Sequence, residues 1–170
     1  MPENDLAKVQ DWLKKRKGFL VYHGNPGCGK TFFCAALANY CWAKFESARF
    51  MNESHFFSHL HRSISEDKDY IYEIHRIADC DFFIFDDLGS CGLTDWKKEA
   101  IFEFMDYRYS NGLPTVITSN LSEKEVSNDY HPRVASRIFD RKNYIISMQG
   151  IDWRKNDYCK KSEEVKKSET

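Results

Sequence analysis

The segment Gly24–Thr31 constrains this chain more than any other. It reads GNPGCGKT and matches the pattern G-x-x-x-x-G-K-[ST] in full. An apolar run, Phe19–His23, comes directly before it, and a helical pattern over Thr31–Lys44 follows it. The order of strand, glycine loop and helix predicts a phosphate-binding loop, because glycines let backbone N–H groups turn toward phosphate oxygens and the helix N-terminus adds partial positive charge.

This loop predicts a nucleotide site with distinct roles for its side chains. Lys30 is expected to reach the β- and γ-phosphates, and Thr31 is expected to ligate Mg²⁺. Cys28 needs no catalytic role, because a small residue whose backbone faces phosphate is sufficient at its position. The residues expected to contact the nucleotide are Gly24, Asn25, Pro26, Gly27, Cys28, Gly29, Lys30, Thr31 and Phe32.

A second motif supplies the carboxylates that a Mg–nucleotide site needs. The apolar run Phe82–Phe85 ends in Asp86 and Asp87. Ligands of open parallel sheets bind at the carboxyl ends of the strands, so an acidic strand end beside the loop is the expected partner. We expect Asp86 to hold the metal through water and Asp87 to orient or deprotonate the attacking water.

Strand-like and helical patterns alternate along the rest of the chain. Further strands are predicted at Arg49–Asn52, Thr115–Thr118 and Tyr144–Ile146. Helices are predicted at Asp5–Lys17, Ser54–Ile64 with Ser54 as its cap, Tyr70–Ala78 and Asp95–Tyr109. This alternation over 170 residues predicts one α/β domain, a parallel sheet with helices on both faces.

Composition limits the partners and the compartment. Hydrophobic residues make up 42% of the chain, enough for a packed core, and the formal net charge is −1, so nucleic-acid or membrane binding would need a local patch. The six cysteines show no CxxC pair. Neither a signal peptide nor an apolar run of the ~18 residues that a spanning helix needs is found. We expect a cytoplasmic protein without a membrane partner.

Two further segments stay open when each is taken alone. Thr118–Asn120 ends a predicted strand, where the Asn120 amide would be placed to touch the attacking water and the γ-phosphate, but Ser-Asn after a strand is also ordinary turn chemistry. Arg133 and Arg137 are four residues apart on one face of a predicted short helix, a spacing equally typical of surface charge.

The motifs together resemble the AAA+ ATPases, specifically the branch of DnaC-type bacterial helicase loaders and IstB-type ATPases of insertion-sequence transposition. The segments that carry the resemblance, beside the phosphate loop, are Ile84–Gly89, Tyr107–Tyr109, Gly112–Leu121, Arg133–Ile138 and Gly150–Arg154. They look like that branch's acidic strand, following helix, polar-sensor strand, arginine-finger helix and closing segment. The roles of Arg108, Arg133 and Arg154 stay open.

The resemblance implies a P-loop NTPase of AAA+ type with a five-stranded parallel sheet over residues 19–154, an N-terminal helix at 1–18 and no helical lid domain. It also implies ATP with Mg²⁺, and a homo-oligomer with ATP at the subunit boundaries. Asn120 would be the polar sensor, and Arg137 would reach the neighbour's γ-phosphate. The polar composition of residues 155–170 predicts a disordered tail.

The loader branch implies single-stranded DNA and a replicative helicase as partners. Only about 18 residues precede the first predicted strand, so the helicase-binding module of such loaders is not expected here. Two basic segments, Ser54–Lys68 and Lys14–Lys17, are candidates for DNA contact. The first contains His55, His59, His61, Arg62 and Lys68 among Phe56 and Phe57. Aromatics at helical spacing are more often core, and basic helix ends are often merely solvated.

The leading hypothesis is an ATP-dependent DNA replication protein of helicase-loader type. A transposition ATPase that recruits a transposase would use the same motifs. A small P-loop metabolite kinase is less favoured, because no arginine-rich lid segment lies between Asp86 and Asn120. A GTPase is less favoured still, because the sequence contains no N-K-x-D guanine motif. A nucleotide-bound module without turnover would lack a water-activating acid, so Asp87 argues against this alternative.

Overall fold

The computed structural model describes residues 3–42, 44–45, 47–65, 69–150 and 152. Its strands are β1 (Phe19–Gly24), β2 (Ala48–Asn52), β3 (Phe82–Leu88), β4 (Thr115–Ser119) and β5 (Tyr144–Met148). Its helices are α1 (Glu3–Lys15), α2 (Lys30–Trp42), α3 (Glu53–Ser65), α4 (Tyr70–Ala78), α5 (Asp95–Ser110), α6 (Glu123–Asp129) and α7 (Pro132–Ile138). Lys68, Arg154 and the predicted tail 155–170 lie outside the described residues.

The strands form one five-stranded parallel sheet in the order β2-β3-β4-β1-β5. Strand β1 lies between β4 and β5, with Phe19 opposite Thr115 and Leu20 opposite Tyr144. The predicted parallel sheet is therefore confirmed. Because all the strands run the same way, the end of β1, the acidic end of β3 and the end of β4 meet at one edge.

Each face of the sheet is covered by its own helices. Successive strand residues point to opposite faces, so Phe19 and Val21 belong to one buried cluster and Leu20 and Tyr22 to the other. The first cluster includes residues of α3–α7, and the second includes residues of α1 and α2. Helices on both faces, as predicted, leave the carboxyl-terminal edge of the strands as the place where loops gather.

Helix α1 packs into the same core as the sheet. Its Val9 and Trp12 are buried, and Trp12 Nε1 donates a hydrogen bond to the Gly18 carbonyl at 3.0 Å. Lys8 Nζ donates to the Ile145 carbonyl of β5 at 3.0 Å. These contacts attach the first helix to the β5 side of the sheet.

The predicted cap of the third helix is wrong. Helix α3 begins at Glu53, directly after β2, so Ser54 lies inside the helix. The capping oxygen is Asn52 Oδ1, which accepts from the His55 N–H at 2.8 Å. Helix α6, which was not predicted, begins at a capping box of Ser122 and Glu125.

Two features of the described residues bear on the predicted organisation. After β5 they comprise only Gln149, Gly150 and Asp152, so this part of the chain contains no helical lid. Among the described residues, no helix has the length and apolarity required to cross a membrane.

Candidate active site

A cleft of about 410 Å³ opens at the carboxyl-terminal edge of the sheet. Its walls come from the loop after β1, the start of α2 and the ends of β3 and β4. The lining residues are Pro26, Gly27, Gly29, Lys30, Thr31, Phe32, Asp87, Thr118 and Asn120. Most of the residues predicted to contact a nucleotide therefore border one cleft, together with Asp87 and Asn120.

The loop needs glycine at Gly24 because the neighbouring strand leaves no room for a side chain. Gly24 has a φ of 138°, and a Cβ built there would lie 2.1 Å from the Met148 carbonyl oxygen of β5. Gly27 and Gly29 also adopt positive φ, at 78° and 94°. The loop thus turns through conformations that L-residues rarely adopt, and α2 begins directly after it at Lys30.

Lys30 is buried, with 7% of its surface exposed, and its ammonium group is bound by neutral acceptors. Lys30 Nζ donates to the Gly24 carbonyl at 2.7 Å, the Asn25 carbonyl at 2.8 Å and Asn120 Oδ1 at 2.7 Å. No carboxylate of the described residues forms an ion pair with it. Its positive charge is therefore held in place without being neutralised, as an anion site requires.

Hydroxyl and carboxylate oxygens meet beside the loop. Thr31 Oγ1 donates to Asp86 at 3.1 Å and 3.3 Å from its two carboxylate oxygens, and Thr118 Oγ1 donates to Asp86 Oδ1 at 2.5 Å. Asp86 itself is only 6% exposed. Such oxygens are the ligands that Mg²⁺ prefers, so the donor set at Thr31 and Asp86 fits this ion.

Asp87 has a strained backbone that the neighbouring strand holds. Its φ is 59°, in the left-handed region, which costs a non-glycine residue about 1–3 kcal/mol. Its N–H donates to Thr118 Oγ1 at 2.8 Å, and its Oδ1 accepts from Asn120 Nδ2 at 3.2 Å. Since Asn120 Oδ1 also accepts from Lys30, the Asn120 amide connects the loop lysine to Asp87.

Two residues of this edge were not assigned a role from the sequence. Thr118 bonds both Asp86 and Asp87. Its position near the end of the predicted strand β4 was the only indication in the sequence that it lies at this edge. His23 is the last but one residue of β1, and its ring lies 5.7 Å from the Phe139 ring, centroid to centroid, in an edge-to-face contact. Burial, and then the charge of Lys30, lowers the pKa of His23 below its ordinary value, so it is neutral at pH 7.

Arg137 lies outside the cleft of its own chain. Its guanidinium forms an ion pair with Asp106 of α5, donates to the Arg133 carbonyl at 3.1 Å and lies 4.8 Å from the Phe102 ring centroid. Arg137 is therefore paired within its own chain through Asp106, while the nearby Asp140 accepts from the Tyr109 hydroxyl. The role of Arg137 across a subunit boundary stays a prediction.

Arg108 has a structural place at the opposite edge of the sheet. It is fully buried and donates to the carbonyls of Ala78, Cys80 and Pro114 and to Thr115 Oγ1, over 2.5–3.0 Å. Burial lowers the pKa of Arg108 to about 10, which leaves it charged at pH 7. This side chain joins the end of α4 to the starts of β3 and β4.

The candidate DNA-contacting segment is only partly available for binding. Phe56 and Phe57 are buried at 0% and 5% exposure, so they are core residues and are not available to contact DNA. Both side chains point into the core. His59 lies 3.2 Å from Arg76 and 3.7 Å from Glu73. Basic residues on the exposed side of α3, such as His55 and His61, remain at the surface.

A model of the IstB-like ATP-binding protein family matches residues 4–162. The chain belongs to this family. The IstB-like chain is 31% identical over 157 residues to the replicative helicase loader DnaI of Bacillus subtilis, covering 87% of this chain and 50% of that protein. It is 24% identical over 120 residues to the replicative helicase loader DnaC of Buchnera aphidicola (strain Sg), covering 69% and 49%. The chain thus spans about half the length of the curated relatives it matches.

Solved structures show the same fold as the IstB-like chain. A crystal structure of the DnaC helicase loader superposes with a TM-score of 0.73 at 24% identity, covering 86% of this chain and 89% of that one. DnaA from Aquifex aeolicus with bound AMPPCP superposes with a TM-score of 0.75 at 15% identity, covering 98% and 53%. The predicted resemblance to AAA+ proteins of the loader and IstB branch is therefore confirmed, and the family is an ATP-binding one.

Proposed function

We propose that this chain binds and hydrolyses ATP at the cleft and acts as a helicase-loader-like AAA+ ATPase in DNA replication. One observation carries the catalytic part: Lys30, Thr31 and the hydrogen-bonded pair of Asp87 and Asn120 line a single cleft, and the buried Asp86 accepts from Thr31 at its wall. A binding module without turnover would not need the pair of Asp87 and Asn120.

Each residue then has a definite task. Lys30 and the loop N–H groups bind the β- and γ-phosphates, and Thr31 and Asp86 hold Mg²⁺. When bound, this ion neutralises charge on the phosphate oxygens. Asp87 accepts a hydrogen bond from the attacking water or takes its proton. Asn120, which already bonds Asp87 and Lys30, orients that water relative to the γ-phosphate.

The replication role is carried over from the named relatives. DnaI and DnaC are both described as replicative helicase loaders. We propose single-stranded DNA and a replicative helicase as partners, with the exposed face of α3 as the first surface to test for DNA. The described cysteines, Cys28, Cys34, Cys41, Cys80 and Cys91, are all free thiols, which supports a reducing cytoplasm.

The proposed assembly is a homo-oligomer in which Arg137 completes the ATP site of the adjacent subunit. The side chain does not line its own cleft, and its ion pair with Asp106 holds it against α5. ATPase activity should then rise faster than linearly with protein concentration. Arg137→Ala should bind ATP but lose about 10³-fold in turnover, the loss typical of an arginine finger.

Mixing variants tests this assembly directly. Arg137→Ala keeps an intact loop and Lys30→Ala keeps an intact arginine, so together they should recover part of the activity that each lacks. Arg133→Ala, one helical turn away on the same helix, is the matched control and should keep wild-type turnover. Wild-type turnover by Arg137→Ala with strictly linear concentration dependence would contradict the proposed boundary role.

A transposition ATPase that recruits a transposase is the second candidate, favoured by the match to the IstB-like family model over residues 4–162. The family match also counts against a metabolite kinase. Stimulation of the ATPase by single-stranded DNA and a replicative helicase would favour loading. Stimulation by duplex DNA alone would favour the transposition role.

A further inference from the structure

A buried glutamate lies beside the candidate active site. Glu53, the first residue of α3, has no exposed surface. Its Oε2 accepts from the Cys91 N–H at 2.9 Å and from Ser90 Oγ at 3.4 Å, and its Oε1 accepts from the Tyr130 hydroxyl. All three donors are neutral. A buried carboxylate is costly unless it is hydrogen-bonded, so these contacts fix the positions of the groups that make them.

Two of the donors belong to the turn that follows Asp87. This turn is closed by the Ser90 N–H, which donates to the Asp87 carbonyl at 3.2 Å. Both Asp87 and Gly89 have positive φ, at 59° and 96°. A turn with two left-handed residues persists only when its surroundings hold it in place. The orientation of the Asp87 carboxylate therefore depends on contacts made by the rest of the turn.

The turn is held from two sides. From β4, Thr118 Oγ1 accepts the Asp87 N–H, and Ser119 Oγ donates to the Leu88 carbonyl at 2.7 Å. From α3, Glu53 holds Ser90 and Cys91. The β4 contacts fix the beginning of the turn, and the Glu53 contacts fix its end.

We propose that Glu53 is a positioning residue for ATP hydrolysis, which orients Asp87 by anchoring the end of the turn after β3. This role rests on the proposed function. The same carboxylate accepts from Tyr130, which comes directly after α6 and shortly before the helix that carries Arg137. Burial and the adjacent Glu53 raise the pKa of Tyr130, so its hydroxyl stays protonated and acts as a donor.

The expected consequence is a loss of turnover without a loss of binding. No residue of the phosphate loop contacts Glu53 among the described hydrogen bonds, so Lys30 and Thr31 keep their places when it is removed. Glu53→Ala should lower kcat by ~10-fold or more, as a small misplacement of a catalytic group does. The Kd for Mg–ATP should stay within about 2-fold of wild type.

Glu53→Gln is the conservative variant. Its amide oxygen accepts the Cys91 N–H, and its amide nitrogen donates to the Tyr130 oxygen. It should therefore recover most of the lost kcat. Glu73→Ala is the matched control, because Glu73 is also buried, at 4% exposure, but bonds Arg76 at 2.7 Å on α4. It should lower the melting temperature without changing the kcat of the folded protein.

The measurements are kcat, Kd for Mg–ATP and melting temperature for these variants and the wild type. Equal kcat in folded Glu53→Ala and wild type would overturn the role of Glu53 alone. A wild-type protein that binds ATP and never hydrolyses it would overturn the proposed function as well. Should Glu53→Ala fail to fold, Tyr130→Phe decides: a several-fold lower kcat at unchanged Kd supports the role, and an unchanged kcat overturns it.

Discussion

Two buried cations lie at opposite edges of the sheet. Lys30 is at the carboxyl-terminal edge, beside the ends of β1 and β4, and Arg108 is at the amino-terminal edge, beside the starts of β3 and β4. Each is bound mainly by neutral oxygen atoms, and neither forms an ion pair with a carboxylate within the part of the chain that the structure describes. Similar local chemistry is therefore found in two very different surroundings.

The difference is access. Arg108 has no exposed surface, and its N–H groups point at carbonyls and a hydroxyl of three chain segments. Lys30 lines the open cleft, and one of its three oxygen acceptors is the side-chain amide of the exposed Asn120. A saturated, enclosed cation contributes to the stability of the fold, whereas an accessible one can exchange its partners for an incoming anion.

Lys30→Ala is expected to have the largest effect, on binding. Removing the side-chain cation from a site for several negative charges should abolish Mg–ATP binding in titration calorimetry. Lys44→Ala, an exposed lysine just after α2 that bonds Tyr40, is the control and should bind normally. An unchanged Kd in Lys30→Ala would contradict the phosphate-loop assignment and the conclusion that Lys30 is the cation that binds an incoming anion.

Arg108→Met should instead affect stability. It leaves the buried carbonyls of Ala78, Cys80 and Pro114 without a donor, at a cost of about 3 kcal/mol or more in the free energy of unfolding. For a chain of this size that lowers the melting temperature by ~6–12 °C. Below that temperature the Kd for Mg–ATP should match wild type. A melting temperature equal to wild type would show that the two cations do not differ as described.

Asp87→Asn extends the comparison to two aspartates at opposite ends of strand β3. Losing the group that positions or activates water should slow hydrolysis by roughly 10²-fold or more while ATP binding stays near wild type. Asp81→Asn is the control, because Asp81 precedes the other end of β3 and accepts from the Ser47 N–H at 2.9 Å. Hydrolysis at the wild-type rate in Asp87→Asn would make Asp87 a bystander.

Much of the fold could be predicted because its determinants are local. The apolar run before Gly24 and the helical pattern after Thr31 identify β1 and α2, and the alternation of patterns predicts the parallel sheet. That Asp86 and Asp87 lie at the same edge as the loop follows from the parallel direction of the strands. The structure brings these side chains together, and their catalytic roles stay predictions.

Contacts between distant segments could not be predicted. Glu53 and Tyr130 are 77 residues apart, and nothing in the helical pattern after β2 indicates that its first carboxylate is buried. In the sequence, Arg108 is an ordinary arginine near a helix end. Only the structure shows that carbonyls at the end of α4 and before β3 and β4 surround it. The cap of α3 was misplaced for a simpler reason: Asn52 ends β2 and caps the helix at once, so no loop residue is needed between them.

The attachment of α1 sets where a preceding polypeptide would leave the domain. Lys8 bonds the β5 backbone and Trp12 is buried, so the helix that begins at Glu3 is attached to the sheet beside β5. A module fused ahead of Glu3 would be tethered there, on the side of β1 away from the acidic end of β3. The length of the linker would decide whether such a module could contact the nucleotide cleft, and β5 would be the strand nearest to its attachment point.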